Sequence, residues 1–225
     1  MDATTAHSDT DRPYLPGMGK DILIPFYDVV HRVFRVGRLH AEMVRRAELE
    51  PGQRVLDIGC GTGNLLLALG ARRPDLDLAG IDPDPKALAR ATRKARRAGV
   101  AVRFDRGFAD TLPYPDGSVD RVFSSLMLHH LDPPVKDATL AEVRRVLRPG
   151  GALVLADFDG HGQGHGRGHG HRRLPFGRRM EVSQRLRENA GIADRIAAAG
   201  LVPDEPAPFE LRVGTVAIVR AARRS

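Results

Sequence analysis

The sequence predicts an α/β fold in which a doubly wound, Rossmann-like parallel sheet carries helices on both faces. Short apolar segments alternate with helical segments between residues 54 and 157, and this alternation is typical of a parallel sheet. A glycine-rich turn at residues 59–63 joins the first predicted strand to the helix that follows it. These two observations place the chain among α/β proteins that hold a small ligand against a strand-to-helix turn.

The predicted elements follow one another in a regular order. Residues 1–20 form a polar tail, and apolar residues at helical spacing predict helices at 21–36 and 39–49, the second ended by Pro51 and Gly52. Strands are predicted at 54–58, 76–81, 100–105, 118–124 and 151–157, with helices at 64–72, 85–98 and 135–147. A short helix at 190–199 precedes two strands at 206–212 and 215–220, which are joined near Gly214 as in a hairpin.

Length and composition indicate one globular domain. The 225 residues are 42% hydrophobic and 28% charged, and no apolar run approaches the ~20 residues that span a bilayer. Residues 1–12 are polar and lack the pattern of a signal peptide. The single cysteine, Cys60, excludes an internal disulfide and fits a reducing compartment, so we expect a cytoplasmic protein.

The net charge of +7 allows two interpretations. It suits an anionic partner such as nucleic acid or a membrane surface, or it reflects arginine-rich helix faces in contact with water. The arginines are spread along several predicted helices, which favours the second interpretation. Aromatic residues make up only 5% of the chain and Trp is absent, so nucleic-acid bases would find few stacking surfaces.

The glycine-rich turn predicts the kind of ligand. Asp57 ends the first strand, and Gly59, Gly61 and Gly63 follow at alternate positions. Glycine permits positive φ and lacks a Cβ, and the helix that follows presents its positive dipole end. The spacing differs from the dinucleotide G-x-G-x-x-G pattern and from the phosphate-binding loop. An acid at the strand end suits a cationic, amine-bearing ligand, which points to S-adenosylmethionine (SAM).

Four ordered blocks extend the match to a known family. They lie at residues 57–63, 81–85, 109–116 and 147–151. With them the chain resembles the class I SAM-dependent methyltransferases, and among these the small-molecule branch that includes the quinone methyltransferases. The resemblance covers about residues 51–157. It implies a seven-stranded sheet with a reversed last strand, N-terminal capping helices and SAM as the cofactor.

The resemblance assigns the first group of cofactor contacts to the glycine-rich turn. Gly59, Gly61 and Gly63 would pass beneath the methionine part of SAM, and Asp57 would orient its amino group. Thr62 matches a ligand-contacting position of the quinone enzymes. The alternative for Thr62 is a cap of the following helix.

A second group of contacts follows the next strands. Asp82, about 20 residues after the turn, would accept both ribose hydroxyls, with a helix cap as its alternative. Pro83 would flank the adenine, while the amide of Ala109 and the carboxylate of Asp110 would contact its polar edge. A solvated loop acid is the alternative for Asp110. Ser125 matches a position at the methionine end of the cofactor.

Two histidines are the candidate catalytic residues. His129 and His130 follow the fourth strand, near the expected methyl acceptor. A histidine there would remove the acceptor's proton or orient the acceptor. Because SAM is a strong electrophile, in-line positioning can suffice for a mildly acidic acceptor, so pocket lining and packing remain alternatives. Cys60 has no neighbouring base and is expected to pack beneath the ligand.

A His/Gly-rich segment departs from the family pattern after the fifth strand. Its histidines could bind Zn²⁺ or Ni²⁺. They are His161, His165, His169 and His171. Alternating glycines oppose the helix that would align them, so we expect a flexible loop and no metal cofactor.

The sequence also predicts a domain organisation and a class of acceptor. We expect a tail at 1–20 and one methyltransferase domain at 21–225. Its parts would be a helical cap (21–50), a SAM-binding core (51–157), the His/Gly-rich loop (158–176) and a C-terminal part (177–225). The cap would help to form the acceptor site, or else mediate a homodimer or touch a membrane surface.

We therefore expect methyl transfer to an oxygen, carbon or nitrogen atom of a small molecule, such as a quinone or a phenolic metabolite. One alternative is an RNA or protein methyltransferase attracted by the positive charge. Another is a non-catalytic protein that binds SAM, or a metal through its His tract.

Overall fold

The computed structural model describes residues 36–158, 191–212 and 214–224. The predicted tail, the predicted first helix apart from its last residue, and the His/Gly-rich segment with its four histidines lie outside these residues. Within them, no group of three or more His, Cys, Asp or Glu side chains is arranged to hold a metal ion. None of their helices has the length and apolar character needed to cross a membrane.

The described elements alternate as the sequence predicts. The helices are α1 (Val36–Arg46), α2 (Asn64–Gly70), α3 (Pro85–Ala98), α4 (Pro133–Val146) and α5 (Ile192–Ala198), and a 3₁₀ turn spans Leu128–His130. The strands are β1 (Arg54–Ile58), β2 (Asp77–Asp82), β3 (Arg103–Arg106), β4 (Val119–Ser125), β5 (Leu147–Asp157), β6 (Val202–Pro203), β7 (Ala207–Leu211) and β8 (Gly214–Ala222).

One mixed sheet contains all the described strands. Its order is β3-β2-β1-β4-β5-β8-β6, and β7 also pairs with β8. Strands β1 to β5 are mutually parallel, whereas β8 runs antiparallel to β5, which confirms the reversed last strand. The carboxyl ends of the parallel strands therefore meet at one edge of the sheet, where the glycine-rich turn lies.

The sheet has eight strands where seven were expected, because one position is divided between two short strands. Both β6 and β7 pair with β8 on the side away from β5. Residues 204–206 separate them, and Pro206 has no N–H to donate. The amide of Asp204 still donates to the carbonyl of Arg220 at 2.8 Å, so the chain stays close to β8.

Two apolar layers cover the two faces of the sheet. Consecutive side chains of a strand point to opposite faces, so Leu153 and Leu155 of β5 belong to one layer and Val154 to the other. The first layer also includes residues of α4 and α5, and the second includes residues of α1 and α2. This confirms the doubly wound arrangement.

Tertiary contacts move some predicted boundaries. Helix α1 ends three residues earlier than expected, because Arg121 of β4 binds the carbonyl groups of the chain just after it. The Arg121 Nε donates to the carbonyl of Ala47 at 2.7 Å, and a terminal nitrogen donates to that of Glu48 at 3.2 Å. Strand β5 begins four residues early, where Leu147 pairs with Val119.

Candidate functional site

The glycine-rich turn lies at the carboxyl edge of the sheet and is fastened to the end of β2. The amides of Gly59 and Cys60 both donate to the carbonyl of Ile81, at 2.9 and 3.1 Å. Gly59 has φ +69°, and a Cβ there would lie 2.9 Å from Met127 Cβ and closer still to its Cγ. Glycine is therefore required at this position by both backbone conformation and space.

The second half of the turn opens helix α2. Gly61 and Gly63 also have positive φ, +52° and +75°. Gly63 is the N-cap of α2 and makes no side-chain cap bond, and a Cβ on it would press against Phe104 at 3.0 Å. The three sequence-predicted glycines thus form one continuous bend that exposes main chain where the parallel strands end.

Thr62 is buried inside this bend. Its Oγ1 accepts a hydrogen bond from the Lys94 ammonium of α3 at 3.3 Å, and the same ammonium donates to Asn64 Oδ1. Because the N-cap of α2 is Gly63, the alternative role of Thr62 as the cap of that helix is wrong. Lys94 instead ties the turn to α3.

Asp57 is a buried carboxylate at the centre of the sheet edge. It lies on β1 between Gly80 of β2 and Phe123 of β4 and is only 3% exposed. Burial, reinforced by the charge of Asp82, raises the pKa of Asp57 well above its usual value. Among the described residues nothing donates a hydrogen bond to its carboxylate. A cationic ligand would stabilise the ionised form of such a buried carboxyl group more than a neutral ligand would.

Asp82 faces the turn from the end of β2. Its two oxygens accept from the amides of Gly61 at 2.8 Å and Asp84 at 2.9 Å, so the carboxylate is fixed in position. Burial raises its pKa to about 6, against the opposing effect of these two hydrogen bonds. Each carboxylate oxygen has two lone pairs, so both can still accept a hydroxyl from a ligand.

Asp84, and not Asp82, caps the helix that follows β2. It is the N-cap of α3, and its Oδ1 accepts from the amides of Lys86 and Ala87 at 2.8 and 3.3 Å. The helix-cap role therefore belongs to Asp84, which leaves the Asp82 side chain turned toward the glycine-rich turn.

The chain after β3 returns to the same edge. The amide of Gly107 donates to the Asp82 carbonyl at 3.3 Å, and Arg106 Nε donates to the Pro83 carbonyl at 3.3 Å. These contacts bring Pro83 beside the segment that carries Ala109 and Asp110. Ala109 packs against the apolar layer, and Asp110 is half-buried.

Arg145 of α4 holds the following part of this segment. Its guanidinium donates to the carbonyls of Leu112 at 2.9 Å and Tyr114 at 2.8 Å. Glu142 pairs with Arg145 and accepts from the Leu112 amide at 2.7 Å. The segment from residue 109 onward is therefore fixed against α4.

Ser125, at the end of β4, contacts a residue that sequence reasoning missed. His40 of α1 is 7% exposed, and its Nε2 lies 3.2 Å from Ser125 Oγ. The signal was present, because His40 falls among the buried Val36, Leu39 and Met43 at helical spacing. A polar residue within an apolar helix stripe indicates a buried polar contact.

His129 is held by a buried acid. Its Nδ1 lies 2.6 Å from Oδ1 of Asp157, which is 1% exposed at the end of β5. The amides of His129 and Phe158 also donate to Asp157, at 3.0 and 2.8 Å. A carboxylate can only accept, so Nδ1 of His129 carries the proton and Nε2 is left as the basic nitrogen. His130 packs beside it, with ring centroids 4.0 Å apart.

Asp157 was also missed by sequence reasoning, although its position gives a signal. It ends an apolar strand at the same sheet edge as Asp57 and Asp82. Cys60, by contrast, is buried in the apolar layer that also includes residues of α1 and α2, and its expected place beneath the ligand stays a prediction. Burial raises the pKa of its thiol well above the usual value, and so do the charges of Asp57 and Asp82, so the thiolate is disfavoured.

Comparison with known proteins agrees with this geometry. The family described as "Methyltransferase domain" matches residues 55–151. The demethylmenaquinone methyltransferase of Thermus thermophilus is 37% identical over 60% of this chain and 62% of its own length. The 27-O-demethylrifamycin SV methyltransferase of Amycolatopsis mediterranei is 39% identical over 54% of this chain and 44% of its own length. The chain thus spans less than two thirds of either relative.

A solved structure supports the fold. Phosphoethanolamine N-methyltransferase 2 of Haemonchus contortus, in complex with S-adenosyl-L-methionine, superposes with a TM-score of 0.73. The match covers 92% of this chain and 58% of the other at 17% identity. At this identity the likeness extends to the Rossmann-like architecture and no further.

Proposed function

We propose that the protein is a class I, SAM-dependent methyltransferase that methylates a small molecule, on the premise that residues 55–151 match the family described as "Methyltransferase domain". The buried Asp57 opposite the fixed carboxylate of Asp82 carries the proposal. The two acids flank a turn of three positive-φ glycines at the carboxyl edge of the sheet. The relatives are small-molecule methyltransferases, so they favour neither an RNA or protein substrate nor a non-catalytic role.

The polar groups of the proposed site suit the chemistry of SAM. The buried carboxylate of Asp57 would receive the cationic amino group, which relieves the cost of its burial. The fixed carboxylate of Asp82 would accept the ribose hydroxyls with its remaining lone pairs. We assign the adenine to the segment that carries Pro83, Ala109 and Asp110, which Gly107 joins to β2.

The methionine end would lie over the glycine-rich turn. A side chain at Gly59 would collide with Met127, so this bend can form only with glycine at that position. Ser125, fixed by His40, would contact the same end. Thr62, which accepts a hydrogen bond from Lys94, lies inside the turn beneath this end.

His129 is the proposed general base. Asp157 holds its Nδ1 proton and thereby directs Nε2 as the acceptor of a proton. When bound, SAM would supply a methyl group on a sulfonium, with S-adenosylhomocysteine as the leaving group. His129 Nε2 would take the proton of the acceptor hydroxyl, so that the acceptor can bond to the methyl carbon. His130 would line the acceptor side of the pocket.

We propose a phenol or hydroquinone as the acceptor. A base beside the methyl donor is useful where a weakly acidic hydroxyl must lose its proton. Phe158, edge-on to the His129 ring at 5.3 Å, supplies an aromatic surface there. The name of the Thermus thermophilus relative, a demethylmenaquinone methyltransferase, supports a quinone-like acceptor.

We also propose the single-domain organisation given above, with residues 21–50 as the cap of the acceptor site. A cytoplasmic location remains a proposal that the single cysteine supports.

A labelled-methyl assay tests the proposed function. Purified protein, SAM with a labelled methyl group and a panel of phenols, hydroquinones and alkyl amines are incubated, and label in each acceptor is counted. We expect transfer to a phenol or hydroquinone that falls at least a hundredfold in His129→Gln, while binding of SAM is unchanged. The matched control, Glu205→Gln, changes an exposed acid on the loop between β6 and β7 and should act as wild type. Folded protein that binds SAM but labels no member of the panel would contradict the proposed acceptor class.

A further inference from the structure

Leu126, the residue that follows β4, has a backbone conformation that residues with large side chains rarely adopt. Its φ is +55°, in the left-handed region, where the Cβ lies too close to the following carbonyl oxygen. Among the described residues that are not glycine, only Glu48 shares a positive φ. Glu48 lies two residues after helix α1, where a left-handed residue commonly ends a helix, and Arg121 binds its carbonyl. Leu126 follows a strand, so its conformation has a different cause.

The conformation of Leu126 reverses the alternation of side chains along β4. Phe123 belongs to the second apolar layer, and Ser125 points to the same side, toward His40 of α1. Regular alternation would place Leu126 on the other face of the sheet. Leu126 instead packs against the second layer, and the following Met127 packs against the first layer. The single left-handed residue therefore turns two consecutive side chains to the faces opposite to those expected.

This reversal directs the chain into the proposed site. The amide of Leu126 still donates to the carbonyl of Ala156 at 2.8 Å, so the sheet ladder is intact up to the strained residue. Immediately after it, Met127 lies against the glycine-rich turn. Two residues further on, the amide of His129 donates to Asp157 at 3.0 Å. Backbone strain at such a place is characteristic of functional sites.

The leucine side chain, and not the bend alone, needs an explanation. A glycine at position 126 would adopt the same backbone conformation without strain. The Leu126 side chain is half-buried, so part of it packs against the second layer while the rest stays accessible. Phe158, at the end of the neighbouring strand β5, packs against the same layer, and its ring lies edge-on to that of His129 at 5.3 Å. Two accessible apolar side chains thus follow adjacent strands at the edge that carries His129.

We propose that Leu126 is a specificity-determining residue whose side chain packs against the ring of an aromatic acceptor. The inference rests on the proposed function, in which the acceptor lies between the methyl donor near Ser125 and the basic nitrogen of His129. Leu126 lies between these two residues in the chain and forms the apolar wall on the side of α1. Such a wall favours a planar ring over a charged alkyl amine, because an amine there would lose its hydration without a partner.

Binding of hydroquinone to the full chain saturated with S-adenosylhomocysteine tests the proposal without methyl transfer. Leu126→Ala removes most of the wall and should weaken hydroquinone binding about tenfold in calorimetry, because roughly half of a leucine's apolar burial is lost. Leu126→Met keeps the apolar volume and should bind hydroquinone within about twofold of wild type. Both variants should bind S-adenosylhomocysteine as wild type does.

The space opened by Leu126→Ala should also change the choice of acceptor. In the labelled-methyl assay, the ratio of kcat/KM for trimethylhydroquinone to that for hydroquinone should rise at least about tenfold, because the larger ring now fits. A loss of general packing would lower both values together and leave their ratio unchanged.

Leu126→Gly separates the side chain from the strained backbone. Glycine adopts positive φ freely, so this variant should unfold at a higher urea concentration than Leu126→Ala. Both variants lack the wall, so they should bind hydroquinone equally weakly.

Leu49→Ala is the matched control. Leu49 is half-buried and packs against the same apolar layer, but it precedes β1 at the opposite edge of the sheet. The variant should lose stability while hydroquinone binding and the acceptor ratio stay at their wild-type values.

Wild-type hydroquinone affinity in Leu126→Ala, an unchanged acceptor ratio, or an equal loss in Leu49→Ala would overturn the proposal. So would a wild-type complex with S-adenosylhomocysteine that binds no hydroquinone. Hydroquinone binding that Leu126→Ala weakens, in a wild-type protein that transfers no label, would support the role of Leu126 and contradict the proposed function alone.

Discussion

Replacement of Asp82 by Asn tests whether ionisation of the buried Asp82 side chain lowers the stability of the protein when no cofactor is bound. Asp82 is half-buried, and burial raises its pKa from 3.8 to about 6. The folded state therefore holds this proton to a higher pH than the unfolded state. Unfolding releases a proton between these two pKa values, so stability of the wild type falls as pH rises through this window.

The size of the effect follows from the shift. Two pKa units correspond to ~3 kcal/mol of unfolding free energy, which is an upper value because water still reaches and screens the side chain. Asp82→Asn cannot ionise, so it lacks this pH-dependent loss. The substitution also weakens the hydrogen bonds from the Gly61 and Asp84 amides, but that cost is independent of pH. The stability of the variant relative to wild type should thus rise by up to ~3 kcal/mol between about pH 4 and about pH 8.

Urea unfolding of both apo proteins at several pH values measures this difference directly. Glu205→Gln serves as the control, because Glu205 is exposed and has no ion pair among the described residues. Its stability relative to wild type should not depend on pH. The unfolding free energy of Asp82→Asn relative to wild type should rise with pH. A value that stays constant or falls would refute the assignment of the pH-dependent loss of stability to Asp82.

Three further perturbations test other parts of the site. Gly59→Ala should lose SAM binding and ~2–4 kcal/mol of stability, because its Cβ meets Met127 at positive φ. Gly99 also has positive φ, but open space surrounds it, so Gly99→Ala should lose only ~1 kcal/mol of stability in urea unfolding. Calorimetry should show that this variant binds SAM as the wild type does. Arg145→Met should lower stability by ~2 kcal/mol in the same unfolding assay, because the loop of the proposed adenine site loses its hydrogen bonds to Arg145. The variant should also bind adenosine more weakly, and an unchanged adenosine affinity would contradict that role. His40→Ala should weaken SAM binding about fivefold in calorimetry by releasing Ser125, whereas an unchanged dissociation constant would make their contact purely structural.

Elements whose signals are local were predictable from the sequence. Helix α3 begins and ends where expected, because Asp84 and Pro85 start it and Gly99 ends it in the left-handed conformation. The glycine-rich turn was predictable for the same reason, since its spacing and its preceding acid lie within seven residues. These signals involve backbone conformations that few residue types can adopt.

Features that depend on distant residues were not predictable in the same way. The early end of α1 depends on Arg121, which lies more than seventy positions away in the chain. The pairing of His129 with Asp157 and of His40 with Ser125 likewise joins separate strands and helices. The sequence indicates which residues carry the chemistry, but the sheet order determines which of them meet.

Titration calorimetry of the apo protein with SAM tests the central claim most directly. We predict saturable binding to a single site, at least tenfold weaker in Asp57→Asn, because the buried acid would no longer meet the cationic amino group. Glu205→Gln should bind as wild type. Folded wild-type protein that gives no saturable heat with SAM, or equal affinity in Asp57→Asn, would contradict the account.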